Sequence, residues 1–318
     1  MGETRLFLDV LEQAIEKSDE LTISRWVSTT KNLVKEKPKY TVEPELNQKI
    51  VFLTYKLYYS KMHDAADLLF YNFISDFNAV ALKGDKLGLL YLLSIDDRNE
   101  ERIKFALKKG ADMYNCGLNG KPAFEVAVES ESLRLLKIYH KKDKDIIKKY
   151  KDPDNQKHLI QKAVIAKKFG SFKTILELSS QHQMEISSIK DRMNRNVLQS
   201  IAEVSLGMTA TPERPGRPLA AIQAEQEILN SMVLELAKNK HSFINMLRNK
   251  DTRGKNAYDL SRHENTSTYQ NIEMIERTLT GKSTANGKLP ADKLKILEQK
   301  LFPQKGIGPQ TSVPRIRL

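Results

Sequence analysis

Six histidines (His63, His140, His158, His182, His241, His263) and a single cysteine, Cys116, are the side chains in this sequence that could ligate a metal or serve as base and nucleophile. No histidine stands at metal-ligand spacing from another or from Cys116, and neither HExxH, CxxC nor GxSxG occurs. A thiol becomes a nucleophile when a neighbouring base or cation lowers its pKa, and no histidine lies near Cys116 in the chain, so it reads as an ordinary loop thiol. Gly281-Lys282-Ser283-Thr284 imitates the end of a phosphate-binding loop. That loop needs a glycine where Glu276 stands and a preceding strand where Asn271 to Leu279 reads as helix. Asp96-Asp97 and the other acidic pairs lie in charged loops rather than in an apolar cleft that would split their pKa values. The sequence therefore offers no catalytic constellation, no cofactor site and no metal site, and a non-enzyme is expected.

Two basic stretches could bind a polyanion. Lys137 to Lys151 (KIYHKKDKDIIKKYK) has seven lysines interleaved with Tyr139 and Tyr150, a pattern suited to a phosphate backbone, but it also carries Asp143 and Asp145. Residues 280–318 hold six Lys and two Arg against Asp292 and Glu298, half of the net charge of +12. Nucleic acid, acidic lipid headgroups or an acidic protein would suit such segments.

The elements that would position these residues are helical. Leu6, Val10, Leu11 and Ile15 form one face of a first helix ending near Ser18, and a second runs from Leu21 to about Lys35. Pro38 and Pro44 interrupt the pattern, after which one long apolar helix is read from Leu46 through Leu57 and on past His63 to Ile74. Residues 1–75 read as a helical cap for the open end of a stack.

From Phe77 short units recur. The plainest is Phe105 to Tyr139: a helix stopping at Gly110, a polar loop through Ala111-Asp112 and Gly120, a short helix from Ala123 to Val128, a break at Ser130 to Ser132, and a helix through Leu133, Leu136 and Tyr139. Further units are read at Asn78–Gly84 (NAVALKG, as a short helix) with Leu87–Leu93; at Ala163–Gly170 with Phe172–Leu178, lacking a clear finger loop; at Asp191–Ala202; and at Asp251–Ser261 with Ile272–Leu279. Val80, Ala127, Ala166, Ile201 and Ser261 then mark equivalent positions, with spacings of 47, 39, 35 and 60 residues. Three loop insertions take up the excess: IDDRNEER, HKKDKDIIKKYKDPDNQK and MTATPERPGRP, the last followed by a helix from about Ala221 to Lys238. Small residues at Ala127, Ala163, Ala166 and Ala202 would let neighbouring units approach, and Gly110 and Gly170 would end helices at positive φ.

Helix end, finger loop, short helix, longer helix resembles one ankyrin repeat, whose regular period is about 33 residues. KKGADMYN and GKPAFEVA are similar to that family's GADVN and GxTPLHxA, and DTRGKNAYDLS to its DxxGxTALDLA variant. The Thr-Pro-Leu-His tetrad is replaced by Pro122-Ala123-Phe124-Glu125 and by Asn256-Ala257-Tyr258-Asp259, so its internal hydrogen bonds are expected to be lost. The resemblance covers about residues 77–279. It implies an all-α repeat solenoid, with residues 76–279 as ankyrin-like repeats, and a scaffold that binds a protein partner through finger tips and short-helix surfaces. On that reading Tyr114 and Asn115 with Lys121, Arg192 with Arg195, and Arg253 with Lys255 are the partner-binding candidates. Divergent, lysine-rich repeats with irregular insertions look like those of proteins that intracellular bacteria deliver into host cells, which implies a cytoplasmic or translocated effector.

Composition sets the outer bounds. With 318 residues, 40% of them apolar, the chain can bury a large core, and 29% charge with a mean hydropathy of -0.49 implies a well-solvated surface. One cysteine permits no internal disulfide. The first 17 residues lack the apolar run of a secretory signal, Leu6 stands where a myristoylation signal needs Ser or Thr, and no run reaches the ~18 apolar residues of a membrane span. Residues 280–318 read as a largely disordered tail ending in GIGPQTSVPRIRL, with one amphipathic helix over Ala291–Leu301.

Overall fold

A computed structural model describes residues 2–36, 44–78, 80–81, 87–95, 99–114, 117, 121–209, 218–261, 267–280 and 299. Cys116, Asn115, the proline-rich stretch 210–217 and the basic tail except residues 280 and 299 lie outside these. Apart from one two-residue antiparallel pair, β1 (Val80–Ala81) with β2 (Leu87–Gly88), the described residues form helices, turns and loops. Two compact units divide at residue 163: Met1–Ala163 and Val164–Leu318.

The first unit stacks helices in two rows. α1 (Gly2–Glu16), α3 (Pro44–Tyr59), α5 (Leu89–Ser94) and α7 (Ala123–Glu129) pack successively. Behind them run α2 (Glu20–Glu36), α4 (His63–Asn72), α6 (Glu100–Lys108) and α8 (Leu133–Lys142), followed by the single turn α9 (Ile146–Lys149) and by α10 (Leu159–Ile165). In the second unit, α12 (Val197–Thr209) packs against α15 (Ala257–Ser261). α13 (Leu219–Ala237) lies between α11 (Phe169–Gln181) and α16 (Ser267–Thr280), and α14 (Lys240–Arg248) leads into the last finger.

This arrangement corrects the register of the repeats. Val80–Ala81 of NAVALKG is a strand of a finger, and the short first helix of that unit is α5, the LLYLLS run. The first helices of the five units begin at residues 89, 123, 159, 197 and 257, spacings of 34, 36, 38 and 60, so three of the four are near the regular period. IDDRNEER is not an insertion, because its NEER end starts α6. The chain from Leu46 to Ile74 is two helices rather than one, broken at Lys61.

The breaks share one geometry. Ser18, Lys61, Gly110, Glu131 and Gln183 all have positive φ, between 53° and 92°. At each, the next amide donates to the carbonyl five residues back: Asp19 to Ala14 at 2.9 Å, Met62 to Leu57 at 2.9 Å, Ala111 to Ala106 at 3.0 Å, Ser132 to Ala127 at 2.9 Å and Met184 to Ser179 at 2.9 Å. This is the Schellman closure, which satisfies helix-end carbonyls. A non-glycine residue there costs of order 1 kcal/mol, so packing holds turns that glycine would ease. Lys167, with φ 56°, supplies the left-handed residue between α10 and α11, whereas Gly170 lies inside α11. Ala127, Ala163 and Ala202 are fully buried, as close packing of the short helices requires, while Ala166 lies just past α10 and is only half-buried.

Candidate partner-binding surface

Each finger is organised by an aspartate. Asp191 accepts backbone N–H bonds from Met193 (2.8 Å) and Arg195 (3.0 Å), and the Asp191 amide donates to the Arg195 carbonyl at 3.0 Å. Asp251 repeats this sixty residues later: its carboxylate accepts from Arg253 (2.8 Å) and Lys255 (2.9 Å), and its amide donates to the Lys255 carbonyl at 2.8 Å. Asn194 and Gly254 take the positive-φ position at the two tips. A third finger, which the sequence reading missed, spans Asp152 to Lys157, with the Asp152 amide on the Lys157 carbonyl at 2.9 Å and the Asn155 amide on the Asp152 carboxylate at 2.6 Å.

The loss of the Thr and His of the tetrad does not leave the fingers unanchored. The Asn256 amide donates to Asp259 (3.0 Å) while the Asp259 amide donates to Asn256 (2.9 Å), a reciprocal cap of α15. Asn196 and Gln199 do the same for α12, at 3.0 Å in both directions, and Gln199 reaches on to the Lys255 carbonyl at 2.8 Å. Pro122 has no N–H to offer, and in that unit Glu125 instead turns inward to Lys162.

The fingers of the second unit are joined side by side. The Thr252 amide donates to the Met193 carbonyl (3.0 Å), Asn194 Nδ2 to the Lys250 carbonyl (2.8 Å) and Asn249 Nδ2 to the Asn194 carbonyl (2.9 Å). In the first unit Asn78 plays the same part, donating to the Gly110 carbonyl at 3.2 Å and accepting from the Asp112 amide at 2.6 Å.

The expected site residues fall into three groups. Arg192, Arg253 and Lys255 are exposed on the paired fingers, with Arg253 Nε 3.8 Å from Asp251 Oδ2. Arg195 is buried, bonded to Asp191 at 3.1 Å and ion-paired with Glu203, so its guanidinium braces the finger instead of facing a partner. Its sequence position two residues past Met193 does not distinguish it from Arg192; only the tertiary fold does. In the first unit Lys121 is half-buried and paired with Glu129 at 2.7 Å, and Asn115 lies outside the described residues. Tyr114 stands at the finger, its ring edge-on to Phe124 (centroids 5.3 Å apart) and its hydroxyl donating to Asp143 at 2.6 Å. Partial burial, then that hydrogen bond, raises the Tyr114 pKa, and the same bond first of all lowers that of Asp143. The chain at Gly117 passes against the Tyr91 ring, where an added Cβ would meet Cγ at 2.1 Å, so a side chain there is sterically barred.

The aromatics of the lysine-rich stretch are not available for stacking. Tyr139 is fully buried and Tyr150 nearly so, and Lys149 pairs with Asp145 at 3.1 Å. An apolar surface that the sequence reading missed surrounds a cavity of about 230 Å³ between the α3–α4 turn and α5, lined by Tyr55, Tyr58, Tyr59, Leu92 and Ile95. It was hidden because that turn was read as continuous helix.

His158 precedes α10, its imidazole buried. Burial, then the nearby Lys151, lowers its pKa below 6.5, and a bond to the Ile147 carbonyl offsets this only in part. The folded state therefore resists the proton that the unfolded chain accepts. Stability is complete above about pH 6.5 and falls as pH drops below it. Urea unfolding between pH 7.5 and pH 5.5 (both ~) is expected to show this slope, and His158→Gln to flatten it; an unchanged slope in the variant would assign the effect elsewhere.

Paired Asx fingers, short first helices and Schellman-closed helix pairs make up an ankyrin-repeat architecture, a fold shared with one solved ankyrin-repeat domain. The ankyrin repeat domain of Bcl-3, a member of the IkappaB family, superposes with a TM-score of 0.51 over 84% of this chain and 97% of that one, at 14% identity. EF0377, an ankyrin repeat protein, aligns with a TM-score of 0.44 at 13% identity over 70% of this chain and 95% of that one. A chain of the Bdellovibrio bacteriovorus complex of Bd0816 predatory endopeptidase with immunity protein Bd3460 gives 0.46 at 16% identity over 73% of this chain and 98% of that one. No family model matches the sequence, and no curated protein matches it. Among the described residues no His, Cys, Asp and Glu cluster could hold a metal, and no helix is long and apolar enough to cross a membrane.

Proposed function

We propose that this chain is a non-enzymatic scaffold that binds another protein through its finger tips. The observation that carries this reading is the geometry of the last two fingers, where aspartates, amides and Arg195 are committed to the loops and Arg192, Arg253 and Lys255 are exposed on them, while Tyr114 stands half-exposed against Phe124. Preorganised loops bearing an aromatic and arginines lower the ordering cost of binding and supply the residue types that anchor interfaces. Residues 1–75 serve in this proposal as the cover of the stack's end, and 280–318 as a basic appendage. Delivery into a host cell by that tail is the effector form of the proposal; a reporter fused with and without residues 280–318 should differ in delivery.

The test of the scaffold itself is capture of a protein by the full chain, followed by titration of that protein with Tyr114→Ala, Arg192→Ala and the surface control Leu219→Ala. At least one finger variant is expected to weaken binding about tenfold or more with thermal stability unchanged. Equal binding by every variant would overturn the reading.

A further inference from the structure

We infer that the paired fingers 191–195 and 251–255 form a docking site for an acidic polypeptide segment, an inference that rests on the scaffold reading. Residues 185–203 and 240–259 contain eight Lys and Arg against five acidic residues, and of these Glu203 pairs with buried Arg195 while Asp259 caps α15. Asp191 and Asp251 are buried and accept the finger's own amides; Asp191 also holds buried Arg195, and Asp251 lies 3.8 Å from Arg253 Nε, beyond hydrogen-bond distance, which leaves the outer donors of that guanidinium open. Arg192, Arg248, Lys250, Arg253 and Lys255 are all exposed. The Thr252–Met193 hydrogen bond places Arg192 and Arg253 one residue either side of paired backbones, on neighbouring loops. Paired backbones of this kind lie about 5 Å apart, so the two guanidinium forks can engage carboxylates of one segment.

The fingers of the first unit are different. Asp112 is exposed there and Lys121 is neutralised by Glu129, so the basic character is local to the last finger pair. The occupant is neither a second copy of this chain nor its own tail, since the chain carries +12 and the tail shares that sign. A single-stranded nucleic acid lacks a stacking platform: among the described residues of the second unit no aromatic is exposed.

The test uses the full chain and a fluorescent peptide of alternating Asp and Ser, with an Asn-Ser peptide and a short DNA duplex as the other arms. The Asp-Ser peptide is expected to bind, and to weaken at least about tenfold both in Arg192→Glu/Arg253→Glu and on raising salt from about 0.05 to 0.3 M. The same charge change made at exposed Arg134 and Lys148 should alter binding less than about twofold, and melting temperatures should match. Equal losses in the two charge-reversed proteins, unchanged binding in the first, or tighter binding of duplex than of peptide would each overturn the inference. A natural partner lost with Tyr114→Ala yet kept by Arg192→Glu/Arg253→Glu would remove the acidic segment and leave the scaffold reading standing. A chain with no finger-dependent partner would remove the scaffold reading.

Discussion

Lys162→Met is expected to destabilise the first unit by about 3–5 kcal/mol, because it strips the cation from two buried carboxylates. Lys162 Nζ lies 3.0 Å from Glu125 Oε1 and 3.2 Å from Asp152 Oδ2, and the two acidic side chains are 1% and 4% exposed. Tyr150 donates its hydroxyl to the other Glu125 oxygen, and Asp152 also organises its finger. Burial alone would raise the Asp152 pKa, but the Asn155 amide and Lys162 outweigh it and the net shift is downward. Burial would likewise lower the Lys162 pKa, and the bond to Glu125 reverses that. The aspartate's share of stability is therefore present above about pH 4 and lost as pH falls through its depressed value. The lysine's share is present below about pH 10.5 and lost above its raised one. Without Lys162, Asp152 keeps only its backbone N–H donors against the cost of burial, so the deficit should narrow as pH falls towards about 4. The single tryptophan, buried Trp26 in α2, reports unfolding of this unit. Adding Glu125→Gln to Lys162→Met should restore part of the loss. A deficit under about 1 kcal/mol at neutral pH would show that the cluster is not a matched ion network.

Phe124→Ala is the second large effect, at about 3–5 kcal/mol. Phe124 is fully buried, and three tyrosine rings meet it edge-on: Tyr150 at 4.8 Å, Tyr114 at 5.3 Å and Tyr139 at 6.4 Å. Truncation removes both the transfer energy of the ring and the floor on which Tyr114 rests. Phe124→Leu keeps most of the volume and should cost about 1–2 kcal/mol. Tyr114→Ala, which empties only half-exposed space, should stay within about 1 kcal/mol. Comparing the three by urea unfolding and by partner binding separates the roles: Tyr114→Ala should lose binding alone, Phe124→Ala both. Equal stability loss in Tyr114→Ala and Phe124→Ala would mean that the finger tyrosine is core rather than surface.

The best-preserved unit was legible because its signals are local. Gly110 does end α6 at positive φ, Ala123–Glu129 is helical, and Ala127 packs fully buried, each following from turn chemistry and apolar periodicity within a few residues. The first unit was misread for the same reason. NAVALKG and LLYLLS are both short apolar runs, and periodicity alone does not say which is finger and which is helix. The Schellman turns at Ser18, Lys61, Glu131 and Gln183 carried no glycine to announce them. The caps at Asn196–Gln199 and Asn256–Asp259 do not stand out against the family's tetrad, because Asn, Gln and Asp there supply the donors and acceptors that Thr and His supply elsewhere.

The amino-acid sequence by itself determined the all-α repeat class, the helix pair of Phe105–Tyr139 and the finger aspartates Asp191 and Asp251, since these depend on neighbours within one turn or loop. The Asp152 finger and the helix bounds of the third repeat, α10 at Leu159–Ile165 instead of Ala163–Gly170, were not legible. Tertiary structure alone decided the register of the first unit and the division of charges between interior and surface. Arg192 and Arg195 are equivalent in sequence, yet one is exposed and the other is closed in by Asp191 and Glu203. Lys162, one lysine among many, is the counter-ion of two acids from other segments. Burial and pairing are set by residues distant in the chain, and no local pattern records them.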